Sequence, residues 1–339
     1  MDNRFIRLAS AAALAFSLTV AGRAPAADYK LLNAAYDVSR DVYKELDTTF
    51  VAEWQKAHPG DTVAIEQSHG GSSKQARAVI DGLPADFIAM NSSLDIDAVA
   101  KAGLLPADWP KLLPDAASPS WSTILFLVRK GNPKHIKDWD DLVKPGIGIA
   151  TPNPKTSGNA RYSYLAAWQY ARVHNGGDEA KAREFVTRFI GNVPVFASGG
   201  RDATTNFVER NVGDVLITFE NEVRLIAAEF KDRQLEIVVP SLSVRADNPI
   251  AVVAKVAQKN GTTAVAQGYA QFHFSPAAQE IFVKYGLRPT DPAVLKRHQA
   301  EFPQVKLFTV DEAFGGWEKA QQTHFSDGGI FDQIVGAKR

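Results

Sequence analysis

Two short stretches constrain this 339-residue chain more than any other feature. Residues 67–74 read Gln-Ser-His-Gly-Gly-Ser-Ser-Lys, and residues 153–159 read Asn-Pro-Lys-Thr-Ser-Gly-Asn. Each follows an apolar run and leads into a segment with helical spacing. A strand that passes through a Gly/Ser turn into a helix is the repeating unit of an α/β sheet. Such a turn also presents the unpaired N–H groups of the helix start, where an oxyanion can be held. A single turn of this kind more often just closes the chain, and Ser72 or Ser157 alone reads as an N-cap. A third turn, Ser198-Gly199-Gly200-Arg201, stands in the same relation to the segment after it.

The pattern continues along the chain. Strands are expected over 29–35, 62–67, 85–90, 123–128, 148–150, 193–196 and 215–219. Helices are expected over about 39–57, 73–80, 95–102, 138–143, 159–174, 179–190 and 202–210, with Asp37 or Ser39 capping the first. Residues 237–240 and 250–256 are apolar segments able to carry the chain between lobes. Residues 261–285 read as helix in two pieces, broken near Ser275-Pro276. The alternation predicts mostly parallel sheets flanked by helices, with ligands held where strands hand over to helices.

The first residues carry Arg4 and Arg7, then the 13-residue stretch Leu8–Val20, then Ala24-Pro25-Ala26. This is the pattern of an export signal cleaved after Ala26, and the stretch is too short to span a bilayer. The remaining 313 residues hold 35 basic and 37 acidic side chains, enough chain for two domains and no footprint for nucleic acid or anionic lipid. With no cysteine, disulfides and thiolate metal sites are excluded. The seven histidines are scattered, and His69 has no second ligand at metal spacing. A Gly-x-Ser-x-Gly elbow, a Walker loop and a complete Gly-x-Gly-x-x-Gly are all missing, so the chain reads as a binder without cofactor rather than an enzyme.

The chain resembles the periplasmic sulfate-binding proteins of the sulfate/thiosulfate ABC transporter family. The likeness rests on Leu31-Leu32-Asn33 with Tyr36-Asp37, on Gln67 to Ser72, on Phe126 to Pro133 and on Thr151 to Gly158. It continues through Tyr164 to Trp168, Thr205 to Arg210, Gly213 to Ile217, Lys306 to Thr309 and Phe314 to Trp317. The resemblance implies a two-lobed, venus-flytrap fold. Lobe I would hold 27–120 with 245–310, and lobe II 121–244 with 311–339. It implies a monomer that closes on sulfate or a related sulfur oxyanion and docks on a membrane permease; a periplasmic sensor would bind the same ligand.

Carried over residue by residue, the donors would be the N–H of Asp37, the N–H and hydroxyl of Ser72 and of Ser157, and the N–H groups of Gly158, Asn159 and Gly200. The family commonly has Gly at the position of Asn159 and Ala at that of Gly200, changes that spare an N–H donor. Phe219 stands where the family has a Trp whose indole N–H reaches the anion, so this wall is one donor short, and Asn159 or Asn91 could supply an amide instead. That leaves sulfate, thiosulfate and a sulfate ester or sulfonate open. The polar run Asn91-Ser92-Ser93-Leu94 replaces a more apolar one. A cage of donors alone suits a fully ionised sulfate and leaves the proton of a hydrogen phosphate unpaired. Arg201 follows the third turn and could contact the anion or pair with a carboxylate behind the loop, while Lys74 and Lys155 flank the first two turns and read as solvated charges.

Overall fold

A computed structural model describes residues 27–337. The export-signal reading and the cleavage after Ala26 lie outside the described residues. The first sheet has the order β12-β3-β1-β2, built from β1 (Asp28–Tyr36), β2 (Thr62–Gly70), β3 (Phe87–Ala89) and β12 (Ile250–Val252). The second has the order β7-β6-β8-β5-β9, from β5 (Ile124–Val128), β6 (Ile149–Pro152), β7 (Phe196–Ala197), β8 (Val215–Phe219) and β9 (Glu236–Val238). Among the described residues, four of the strand pairs in these two sheets are parallel and three antiparallel, because one strand of each sheet, β12 or β5, runs against the rest.

The strands are apolar on both faces because helices cover both. In the first sheet, Leu31, Ala35, Phe87 and Ala89 pack into one core with α1 (Arg40–Ala57). Their neighbours Ala34 and Ile88 point the other way, onto α2 (Ser72–Ile80) and α3 (Ser93–Lys101). The period of two is the strand's own geometry. In the second sheet, Phe126, Val215, Ile217 and Phe219 face α4 (Gly158–His174) and α5 (Glu179–Gly191). Leu125, Leu127 and Leu216 face α6 (Gly200–Val208) and α7 (Glu220–Glu229). The expected helix over 261–285 is two helices, α8 (Thr263–Phe272) and α9 (Pro276–Lys284), and Ser275 caps the second through its hydroxyl.

The chain passes between the sheets through β4 (Ser120–Ser122), and back through β10 (Leu242–Val244) and β11 (Ala246–Asp247). These crossings are bonded to each other: β11 pairs antiparallel with β4, Ser122 opposite Ala246. β13 (Arg288–Pro289) joins them, and β14 (Lys306–Phe308) pairs with β10. Three expectations change. The segments 237–240 and 250–256 do not simply bridge lobes, since Glu236–Val238 is the edge strand of the second sheet and Ile250–Val252 is β12 of the first. The helix α7 had not been expected. Neither Asp37 nor Ser39 caps α1 with its side chain: the Ser39 hydroxyl donates to Tyr36 O at 2.6 Å, and Asp37 is used elsewhere.

Candidate functional site

Three of the strand-to-helix turns named above converge. β2 hands over to α2 at Gly71, β6 to α4 at 153–157, and β7 to α6 at Ser198-Gly199. A 3₁₀ turn over Asp37–Ser39 follows β1. Loops of the two sheets interlock with no room to spare. A Cβ added at Gly71 would lie 2.5 Å from Thr156 O and 3.3 Å from Ser198 O. One at Gly199 would lie 2.4 Å from Asp37 Oδ2, and one at Gly200 2.7 Å from Val38 Cγ1. Glycine is required at Gly71 because backbone of the second sheet's turns presses on it, while Gly199 and Gly200 make room for the side chains of Asp37 and Val38.

The expected residues are therefore brought together: Asp37 and Ser72 from the first sheet, Ser157, Gly158, Asn159 and Gly200 from the second. Their chemistry differs from expectation at three points. The Ser72 hydroxyl donates to Asp95 Oδ2 at 2.6 Å, so it is engaged away from any anion, while its N–H sits in the first turn of α2. The Ser157 N–H donates to Asn153 O at 3.0 Å, which leaves the hydroxyl as that residue's donor. Asp37 contributes more than its N–H: its Oδ2 accepts the Arg201 N–H at 3.1 Å, and its Oδ1 accepts the Val38 N–H. Burial pushes the Asp37 carboxyl above its ordinary range, against the pull of those N–H groups.

Behind the turns lies a bridge that sequence reading missed. Arg161 Nη1 sits 3.2 Å from Asp95 Oδ1, and Arg161 Nε donates to Pro154 O at 3.0 Å. Both side chains are more than nine-tenths buried. Ser72, Asp95 and Arg161 thus tie α2 and α3 of one sheet to α4 of the other. The Asn159 amide donates to Thr218 Oγ1 at 2.8 Å, which fixes the start of α4 against the end of β8. Phe219, 1% exposed, packs edge-on against Tyr162 with ring centres 6.1 Å apart.

Lys155 was expected to be solvated. Its ammonium instead donates to Phe325 O and Asp332 Oδ2, each at 2.8 Å, and approaches Asp327 Oδ1 at 3.3 Å. The second turn is thereby braced by a segment far along the chain. The Thr156 hydroxyl donates to Ser198 O at 3.0 Å and links the second turn to the third.

Beside the turns, α1 and α7 enclose a cavity of about 580 Å³ lined by Asp41, Lys44, Arg201, Glu222 and Tyr285 among others. Glu222 is 3% exposed and makes no hydrogen bond among the described residues. Burial pushes its carboxyl up to about 8, helped by Asp37 and Asp41 across the cavity and by Glu229, and opposed by Arg201. Among the described residues no group of three or more His, Cys, Asp or Glu could hold a metal ion.

The arrangement can hold an anion with neutral donors. First-turn N–H groups of α2, α4 and α6 meet at one place, and aligned helix dipoles favour negative charge there. The comparisons agree with that chemistry. Residues 34–288 match the family model of bacterial extracellular solute-binding proteins. A thiosulfate-binding protein of Pseudomonas aeruginosa is 52% identical over 329 residues, 97% of this chain and 98% of its own. A sulfate-binding protein of Escherichia coli is 52% identical over 309 residues, 91% of this chain and 94% of its own. Among solved structures, the sulfate-binding protein of Mycobacterium tuberculosis superposes with a TM-score of 0.78 at 33% identity, covering 87% of this chain and 98% of that one.

Proposed function

Since the chain belongs to the bacterial extracellular solute-binding proteins, we propose that it captures sulfate or thiosulfate in the periplasm and delivers it to the membrane permease of an ABC transporter. The observation that carries this reading is the interlocking of the turns at Gly71, Thr156 and Ser198, which sets helix starts from two sheets around one point. The donors are the N–H groups of Asp37, Ser72, Gly158, Asn159 and Gly200 and the hydroxyl of Ser157. A divalent anion leaving water loses hydration that only such donors replace. Capture involves no turnover, and the protein works as a monomer after cleavage behind Ala26.

We assign lobe I to 27–120 with 245 to about 305, and lobe II to the rest. The pairing of β14 with β10, and Phe308 in the core of the second sheet, support the shift of the last crossing to before Lys306. Anion contacts from both lobes make the closed form bind far better than the open one. Phe219 offers no donor, which costs a sulfate oxygen one hydrogen bond and favours the larger, softer sulfur end of thiosulfate. Calorimetry with sulfate, thiosulfate, an aryl sulfate and phosphate tests the reading. Sulfate or thiosulfate should bind at least about 100-fold more tightly than phosphate, since an unpaired proton in the cage costs about 3 kcal/mol. Equal affinity for phosphate would refute it.

A further inference from the structure

The loop after β3 carries a side chain that none of the contacts described so far explains. Asn91 is 2% exposed, and its N–H donates to Ser72 Oγ at 3.3 Å. Its Oδ1 is buried and has no hydrogen-bond partner among the described residues. The carboxamide reaches across from the first sheet and lies on the first residue of α4. A Cβ added at Gly158 would stand 2.0 Å from Asn91 Oδ1, 3.0 Å from Cγ and 3.5 Å from Nδ2. The amide can sit there only because residue 158 is glycine, whose Cα–H faces Oδ1 and gives it a weak contact.

A carboxamide has two N–H donors and two acceptor sites, and leaving such groups unmet in a buried place costs about 1–3 kcal/mol each. The amide lies on the first residue of α4, whose opening N–H groups at Gly158 and Asn159 are donors, and its own backbone N–H bonds the hydroxyl of Ser72 at the start of α2. What an amide N–H needs beside them is an acceptor, and the acceptor those N–H groups share is the anion. We propose that Asn91 is a further ligand-contacting residue: its Nδ2 donates to the sulfur oxyanion held at the starts of α2 and α4, while Oδ1 rests on Gly158. This rests on the oxyanion reading above and adds to it a side-chain donor from lobe I.

The test is calorimetry with sulfate and with thiosulfate on the full chain, for wild type, Asn91→Ala and Asn91→Asp, alongside thermal melts without ligand. Asn91→Ala should weaken whichever anion wild type binds by about 5- to 100-fold, the loss of one charge-assisted donor. Asn91→Asp keeps the shape and sets a carboxylate against the anion. It should lose at least about 100-fold at neutral pH and regain affinity, relative to wild type, as the new carboxyl is protonated. Both variants should melt within a few degrees of wild type, which a purely structural amide would not allow. An Asn91→Ala protein with wild-type affinity overturns the assignment and leaves the oxyanion reading standing. A wild-type protein that binds neither anion overturns both.

Discussion

Glu222 offers the sharpest test of how the two sheets come together. It belongs to α7, next to the second sheet, and faces Asp37, Tyr36 and Asp41 of the first, with Arg201 and Glu229 on its own side. In this arrangement its carboxyl is pushed up to about 8, first by burial and then by Asp37. If the lobes part, Glu222 regains water and returns toward the ordinary value of 4.5. The closed form then holds one proton more than the open form between those two values. Its advantage is full below the lower value and is lost as pH rises through the upper one. One proton per closure is at most tenfold in affinity per pH unit, so binding should be between 10- and about 50-fold weaker at about pH 8 than at about pH 6. Sulfate does not titrate in this range, so the slope belongs to the protein. The assay is calorimetry across pH, repeated in buffers of different ionisation enthalpy to count the proton. Glu222→Gln should bind well at every pH with a flat profile. A wild-type affinity that does not change between these pH values, or a Glu222→Gln protein that keeps the slope, refutes the reasoning.

Two further substitutions separate closure from folding. Gly71→Ala places a methyl group 2.5 Å from a backbone oxygen that cannot rotate away; overpacking of about 1–3 kcal/mol confined to the closed form should weaken anion binding by about 5- to 150-fold, and an unchanged dissociation constant would show that the loops have room. Arg161→Met leaves the Asp95 carboxylate without its partner where the lobes meet, so about 3–5 kcal/mol falls on the closed form and anion affinity should drop by at least about 150-fold, with the ligand-free denaturant midpoint little changed and partial recovery in the double variant carrying Asp95→Asn; a single variant with wild-type affinity would show the bridge to be dispensable.

The parts of the fold that were legible in sequence are those written locally. Each Gly/Ser turn announces a strand end and a helix start within eight residues, and the structure has helices beginning at Ser72, Gly158 and Gly200. The edge strand over Glu236–Val238 was read as part of a crossing because three residues are too few to show a period and the apolar run around them ends at Pro240. The candidate site divides the same way. Its backbone donors could be named from the turns and the resemblance. The fates of the Ser72 hydroxyl, the Asp37 carboxylate and Lys155 could not, because their partners lie 23, 164 and 177 positions away. Arg161 carries no motif at all, and Asn91 entered only as an amide that could replace the missing Trp donor; the meeting of the two sheets is what places both.

The brace on Lys155 has a consequence for the order in which the molecule is made. The turn at 153–157 is synthesised early, but the carboxylate of Asp332 that steadies it arrives 177 residues later. In a chain emerging amino end first, that turn waits through more than half of its synthesis without its anchor. Contacts of such separation form late, since long loops must close before they are rewarded. Competence to hold the anion firmly is therefore among the last properties acquired, after both sheets have their strands. A chain threaded unfolded across a membrane would reach that state only on the far side.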